Sequence, residues 1–266
     1  MSLNQKLNKV NLVVLDLAGT IVDYGSCAPA GTFISLFKKY DINVTSQQAR
    51  QPMGLDKKSH IKTLLQMPEI NEQWVYKHQN NWDDADLDIM YQEFILMQLE
   101  QLPLHSKIIS GTLEVIEYLR CRQIKIAVTT GYNRQMMQVV LDHLKQQGFE
   151  PDFAVCSEDV ESGRPQPDML HKCMEYFGVE DKRSVIKAGD TIADIQAGIN
   201  AGVWTVGVVK HGNCVGLSAE QINSLNDDEL KKLIDQARQQ LFAAQANYVI
   251  ETIAELKNVV DKIDSL

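Results

Sequence analysis

The chain has 266 residues, 44% hydrophobic and 23% charged, with a formal net charge of −9 at pH 7. It is long enough for one large domain or a core with a smaller second unit, and its acidity argues against a partner bound through a nucleic-acid backbone. Five cysteines without a C-x-x-C pair fit a reduced, cytoplasmic setting, the opening MSLNQKLNKV lacks the apolar core of a signal peptide, and no apolar run nears the ~18–20 residues that span a bilayer.

The first apolar run, NLVVLD, reads as a strand that ends in Asp16 before a Gly-Thr turn. From about residue 26 to 102 no strand pattern stands out: FISLFKKY, the stretch around KKSHIKTLLQM, and LDIMYQEFILMQLEQL read as helices. Beyond them helix and strand alternate. GTLEVIEYLRCR precedes the strand IKIAVTTG; RQMMQVVLDHLKQQG leads to DFAVCSED; DMLHKCMEYFG leads to SVIKAGD. DTIADIQAGINAG is a helix with Gly202 as its stop, and WTVGVV is the next strand. DDELKKLIDQARQQLFAAQ is helical, while YVIETIAELKNVVDKI is one helix or a short strand followed by one. Strands apolar on both faces, alternating with helices, predict a doubly wound α/β fold with a parallel sheet. The expected division is an α/β core, 1–25 and 103–266, with an inserted helical domain, 26–102.

Open α/β sheets bind ligands outside the carboxyl ends of their strands. The residues predicted there are Asp16; Thr129, Thr130 and Gly131; Gly163, Arg164 and Pro165; and Asp190 with Asp194 one helical turn on. This is a carboxylate nucleophile, a hydroxyl with neighbouring N–H groups, a cation and an acidic pair. The set suits phosphoryl transfer, in which carboxylates hold Mg²⁺ and positive groups neutralise the phosphoryl oxygens.

DLAGT, TTG, GRP and GDTIAD match, in order, the four motifs of the haloacid dehalogenase superfamily, which the chain resembles. Within it, DLAGTIVDYGS, RQPMGLDKKSH, TTGYNRQMM, GRPQP and GDTIADIQAGINAGVWTVGV are similar to the phosphonatase family. The resemblance implies a Rossmann-like core with a helical cap and Mg²⁺-dependent hydrolysis of the P–C bond of phosphonoacetaldehyde, a step of phosphonate catabolism. It implies Asp16 as nucleophile and Lys57, in the M-G-x-x-K pattern, as Schiff-base lysine, with His60 as a proton shuttle. Thr130, Gly131, Arg164, Met53 and Tyr132 fall on substrate positions. Asp16, the Ala18 backbone carbonyl and Asp190 fall on metal positions, with Asp194 supporting them. A small-molecule phosphonate as the partner, and a homodimer formed through the cap, follow from the same resemblance.

The chemistry of Ala18 points the same way. A phosphatase protonates its leaving alkoxide with a second acid two residues after the nucleophile. A phosphonate would release a carbanion, which a carboxylic acid cannot rescue but a lysine imine can accept as an enamine. Here the acid position is Ala18, and Lys57 supplies an amine. Leu17 and Ser26 stand where the family usually carries Trp and Cys, which leaves phosphonoacetaldehyde or a close relative as substrate. A phosphatase, a dehalogenase of the same superfamily, and a binding protein on a retired catalytic fold are the alternative readings.

Overall fold

The computed structural model describes residues 9–266, so the reading of the first ten residues as leaderless falls almost wholly outside the described residues. Six strands form one sheet: β1 Leu12–Asp16, β2 Lys125–Thr130, β3 Phe153–Cys156, β4 Val185–Gly189, β5 Trp204–Val208 and β6 Tyr248–Ile250. Every pairing is parallel, in the order β3-β2-β1-β4-β5-β6. β1 is buried at all five positions, as a central strand covered on both faces must be. The chain fills the sheet in one direction through β2 and β3, then in the other through β4, β5 and β6. The switch lies between β1 and β4, where the departing loops separate and open a crevice.

Six helices lie between β1 and β2: α1 Cys27–Lys39, α2 Ser46–Arg50, α3 Lys57–Leu65, α4 Pro68–His78, α5 Asp84–His105 and α6 Thr112–Cys121. α7 Arg134–Gln146, α8 Asp168–Phe177 and α9 Ile192–Ala201 connect the middle strands; α10 Ala219–Ser224 and α11 Asp227–Ala243 follow β5, and α12 Leu256–Ser265 follows β6. YVIETIAELKNVVDKI is therefore a strand followed by a helix. Gly202, at φ 77°, ends α9 as its sequence predicts. Periodicity does not mark α2 or α10, which are five and six residues long and too short to show a repeat. It also misses α4, which buries only Ile70 and Trp74. α5 continues through Pro103 to His105. No helix of the described residues is long and apolar enough to cross a membrane.

β1 alternates its side chains between two apolar layers. Leu12 and Val14 join Ala127, Leu170 and Val185 on one face of the sheet. Val13 and Leu15 belong to a larger cluster that runs through Leu17, Ile21 and Tyr132 to Phe33, Leu64 and Phe94 of the inserted helices. The helices between β1 and α6 thus share a core with the sheet. Phe94 stacks on Phe33 with ring centroids 4.4 Å apart. Phe94→Ala is expected to lower the unfolding free energy by about 3–5 kcal/mol in urea denaturation; a loss below about 1 kcal/mol would show that these helices do not belong to the cooperative core.

Candidate active site

Asp16 is the last residue of β1 and is buried. The turn that follows is shaped around a second carboxylate: Gly19 has φ +79°, and a Cβ there would lie 2.2 Å from Asp190 Oδ2. Only glycine fits that conformation and that gap. Gly131, just beyond β2, is limited by space alone, since a Cβ would lie 2.4 Å from the Leu55 carbonyl oxygen. Backbone from the inserted segment is therefore seated directly on the strand ends.

Arg164 bridges two carboxylates. Its Nη2 lies 2.6 Å from Asp16 Oδ1 and its Nη1 2.8 Å from Asp194 Oδ1, and Nη2 also donates to the Thr129 carbonyl oxygen at 2.7 Å. Lys187, in the middle of β4, sets its Nζ 2.9 Å from Asp194 Oδ1 and donates to Thr129 Oγ1 at 3.1 Å. The Thr191 hydroxyl donates to Asp194 Oδ2 at 2.6 Å. Asp190 accepts from Thr20 Oγ1 at 2.9 Å and from the Asn213 backbone N–H at 2.7 Å.

Burial lifts the Asp16 carboxyl above its ordinary range, although Arg164 and Lys187 pull it down. Burial works against the charge on Asp194 too, but there Arg164 and Lys187 outweigh it and hold the carboxyl below its usual value. Among the described residues no cation forms an ion pair with Asp190. Burial, then the charges of Asp16 and Asp194, push it well above the normal carboxylate range. Asp16, Asp190 and Asp194 each offer an oxygen, all within 4.8 Å of one another. Buried acids with unsatisfied negative charge and hard oxygen donors fit a divalent cation such as Mg²⁺.

Lys57 opens α3, whose N-terminus is capped by Asp56 accepting from the Ser59 N–H at 2.9 Å. The two adjacent lysines have different fates. Lys58 is half exposed and pairs with Asp88. Lys57 is buried, its Nζ 5.0 Å from the centre of the Tyr132 ring and 5.8 Å from that of Phe33. Burial lowers its pKa to about 8. His60, three residues on and on the same helix face, stacks on Phe33 at 3.7 Å between ring centres. Its Nε2 faces the Ala49 carbonyl oxygen at 2.9 Å. A carbonyl only accepts, so Nε2 carries the proton, and Nδ1 has no hydrogen-bond partner among the described residues. Burial and then the nearby Lys57 hold His60 well below its ordinary pKa, so it is neutral.

Asp16, Ala18, Met53, Lys57, Thr130, Gly131, Tyr132 and Arg164 line one cavity, with Ser26, Pro29, Gly54 and Thr191. Its volume is about 20 Å³, little more than one water needs. Asp190, Asp194 and His60 are not in the lining; they stand behind Asp16 and Lys57. Ser26 faces the cavity and donates to Asp190 Oδ2 at 3.4 Å, whereas Leu17 is buried in the large apolar cluster. The sequence reading missed Lys187 and Asn213. Lys187 had a signal, because a lysine inside the apolar run VIKAG must find a buried partner. Asn213, in a loop, had none.

Residues 13–208 match the family model described as haloacid dehalogenase-like hydrolase. The chain is 41% identical over 256 residues to a phosphonoacetaldehyde hydrolase of Bacillus cereus (strain B4264), covering 96% of this chain and 97% of the relative. It is 40% identical, with the same coverage, to the one from Bacillus cytotoxicus. The crystal structure of a phosphonoacetaldehyde hydrolase-like protein from Oleispira antarctica superposes with a TM-score of 0.95 at 36% identity, covering 100% of this chain and 96% of that one. A β-phosphoglucomutase from Clostridium difficile, at 17% identity and TM-score 0.69, shares the fold.

Lys187→Met leaves Arg164 as the one cation on Asp194 among the described residues. Removing one partner of a buried ion pair strands the other, so the variant is expected to lose about 3–5 kcal/mol of stability in urea denaturation. A variant as stable as the native chain would show that Asp194 does not need the second cation.

Proposed function

The chain belongs to the haloacid dehalogenase-like hydrolase family, and from that membership and the geometry of the site we propose that it hydrolyses phosphonoacetaldehyde to acetaldehyde and phosphate. One pairing carries the reading. Lys57, buried and lowered to about 8, faces the same cavity as Asp16, and the residue two positions after Asp16 is Ala18 instead of an acid.

In this reading the neutral Lys57 amine adds to the aldehyde carbon and loses water to form an imine, which takes up a proton. Asp16 attacks phosphorus, and the electron pair of the breaking P–C bond passes into the enamine. Water hydrolyses the aspartyl phosphate, releasing phosphate and restoring Asp16. A proton returns to the enamine carbon, and hydrolysis of the imine frees acetaldehyde and Lys57. His60, neutral and with Nδ1 free, is suited to move the proton at the Lys57 nitrogen. Arg164, the Thr130 hydroxyl and the Gly131 N–H would hold the phosphonate oxygens, and Met53 and Tyr132 would pack against the carbon portion.

Asp16, Asp190 and the Ala18 carbonyl would hold Mg²⁺, which when bound neutralises phosphoryl charge and favours ionised Asp16. Asp194, already engaged by Arg164, Lys187 and Thr191, would orient this group. The cavity is too small for a substrate, so residues 26–102 would act as a cap that opens and closes in each turnover. The reading also takes the protein to be a cytoplasmic homodimer. Ile89 and Leu96, exposed and seven residues apart on one face of α5, offer a surface for a second copy.

With phosphonoacetaldehyde and Mg²⁺, acetaldehyde and phosphate should appear in equal amounts, and borohydride should add mass at Lys57. Preferential cleavage of phosphate monoesters would favour a phosphatase instead. Asp16→Asn and Lys57→Ala should each lower turnover by about 10³-fold or more; substantial P–C cleavage by Lys57→Ala would sink the imine. Because only the deprotonated amine adds to the aldehyde, the trapping rate should climb from pH 6 and level off above about 8. A pH-independent rate would count against Lys57.

A further inference from the structure

Arg50 ends α2, on the inserted segment, and its guanidinium joins three parts of the chain. Nη1 donates to the Gly25 carbonyl oxygen and, at 3.2 Å, to Asn213 Oδ1; Nη2 donates to Cys27 Sγ at 3.8 Å. Asn213 returns the contact, its Nδ2 donating to the Arg50 carbonyl oxygen at 3.1 Å. The side chain of Asn213 is thus committed, as acceptor and as donor, to one residue across the seam. Its backbone N–H meanwhile donates to Asp190 Oδ2 at 2.7 Å. The loop has little room to do this any other way: a Cβ on Gly212 would lie 2.7 Å from Asp190 Cβ, and one on Gly216 would lie 2.7 Å from Arg50 Nε. Beside this contact lies a cavity of about 520 Å³ lined by Arg50, Met53, Ile192 and Asn213 among others. At this point hydrogen bonds join the two sides.

We propose that the Arg50–Asn213 contact is a clasp that couples closure of the inserted segment to Asp190: closing seats Asn213 so that its N–H fixes the carboxylate for a divalent cation. This rests on the reading of residues 26–102 as a moving cap and of the acidic cluster as a Mg²⁺ site. Linkage makes the effect mutual, so Mg²⁺ favours the closed form as much as closure favours Mg²⁺. Arg50 and Asn213 are positioning residues; neither lines the cavity that holds Lys57 and Asp16.

The test uses the full chain with Arg50→Met, Asn213→Ala and the double variant. Two quantities are measured: Mg²⁺ affinity by calorimetry, and the rate at which formaldehyde and borohydride methylate Lys57, read by mass spectrometry with half-exposed Lys58 as internal control. Lys57 is buried in the closed form, so its methylation reports opening without substrate or metal. Each single variant should speed Lys57 methylation and raise the Mg²⁺ Kd by about 5- to 20-fold. The double variant should fall short of the product of the two single effects, because both substitutions remove the shared Arg50–Asn213 side-chain contact. Lys58 should be unchanged, and Mg²⁺ should slow Lys57 methylation in the native chain. Native Lys57 rates in the variants would overturn the clasp. Faster Lys57 with native Mg²⁺ affinity would overturn the coupling, as would additive effects in the double variant or a native chain that binds no Mg²⁺. A native chain that binds Mg²⁺ and shows the coupling but releases no acetaldehyde would defeat the proposed reaction and leave the clasp standing.

Discussion

Three buried carboxylates, with an oxygen of each within 4.8 Å of the others, stand at the end of β1, just past β4 and in the first turn of α9, and impose the constraint to which much of this molecule answers. Like charges taken out of water repel strongly and are desolvated at high cost, so each must be paired, hydrogen-bonded or neutralised. Arg164 and Lys187 converge on Asp194, Arg164 also holds Asp16, and Thr20 and Asn213 donate to Asp190. Gly19 is required because any side chain there would collide with Asp190. The strand order brings β1 and β4 side by side, which places Asp16 close to Asp190 although the two are far apart in sequence.

The inserted helices supply what the sheet lacks. Lys57 is the first residue of α3, beside a cap formed by Asp56, and it reaches the cavity between the rings of Tyr132 and Phe33. Aromatic faces attract a cation, but they replace none of the water that burial removes, so burial governs and depresses the lysine's affinity for protons. Lys58, one residue on, points to solvent and Asp88. The same segment closes the cavity through backbone, with Leu55 against Gly131. In the proposed reading such closure excludes water and a ligand enters only when the segment moves, which is why contacts across the seam, such as that of Arg50 with Asn213, would bear on function as well as on stability.

Much of the fold was legible because its signals are local. Five of the six strands are apolar runs in the right order, and the sixth is only three residues long, below the length at which a pattern separates strand from helix. The short helix α2 escaped for the same reason, and α4 because so little of it is buried. Asp16, Thr130, Arg164, Asp190 and Asp194 could be picked out because each belongs to a short motif with glycine, proline or a second acid close by in sequence.

The sequence by itself determined the parallel α/β alternation, the identity of the acidic and basic groups at the strand ends, and the replacement of a second acid by Ala18. These depend on residue type and near neighbours, which the linear chain displays. Only the tertiary structure decided that Lys57 and not Lys58 is buried, that His60 keeps a free Nδ1, that Lys187 rather than solvent faces Asp194, and that Asn213 joins Arg50 to Asp190. Each of these depends on the burial and mutual distance of groups that lie on different elements, often more than a hundred residues apart, and folding alone brings them together.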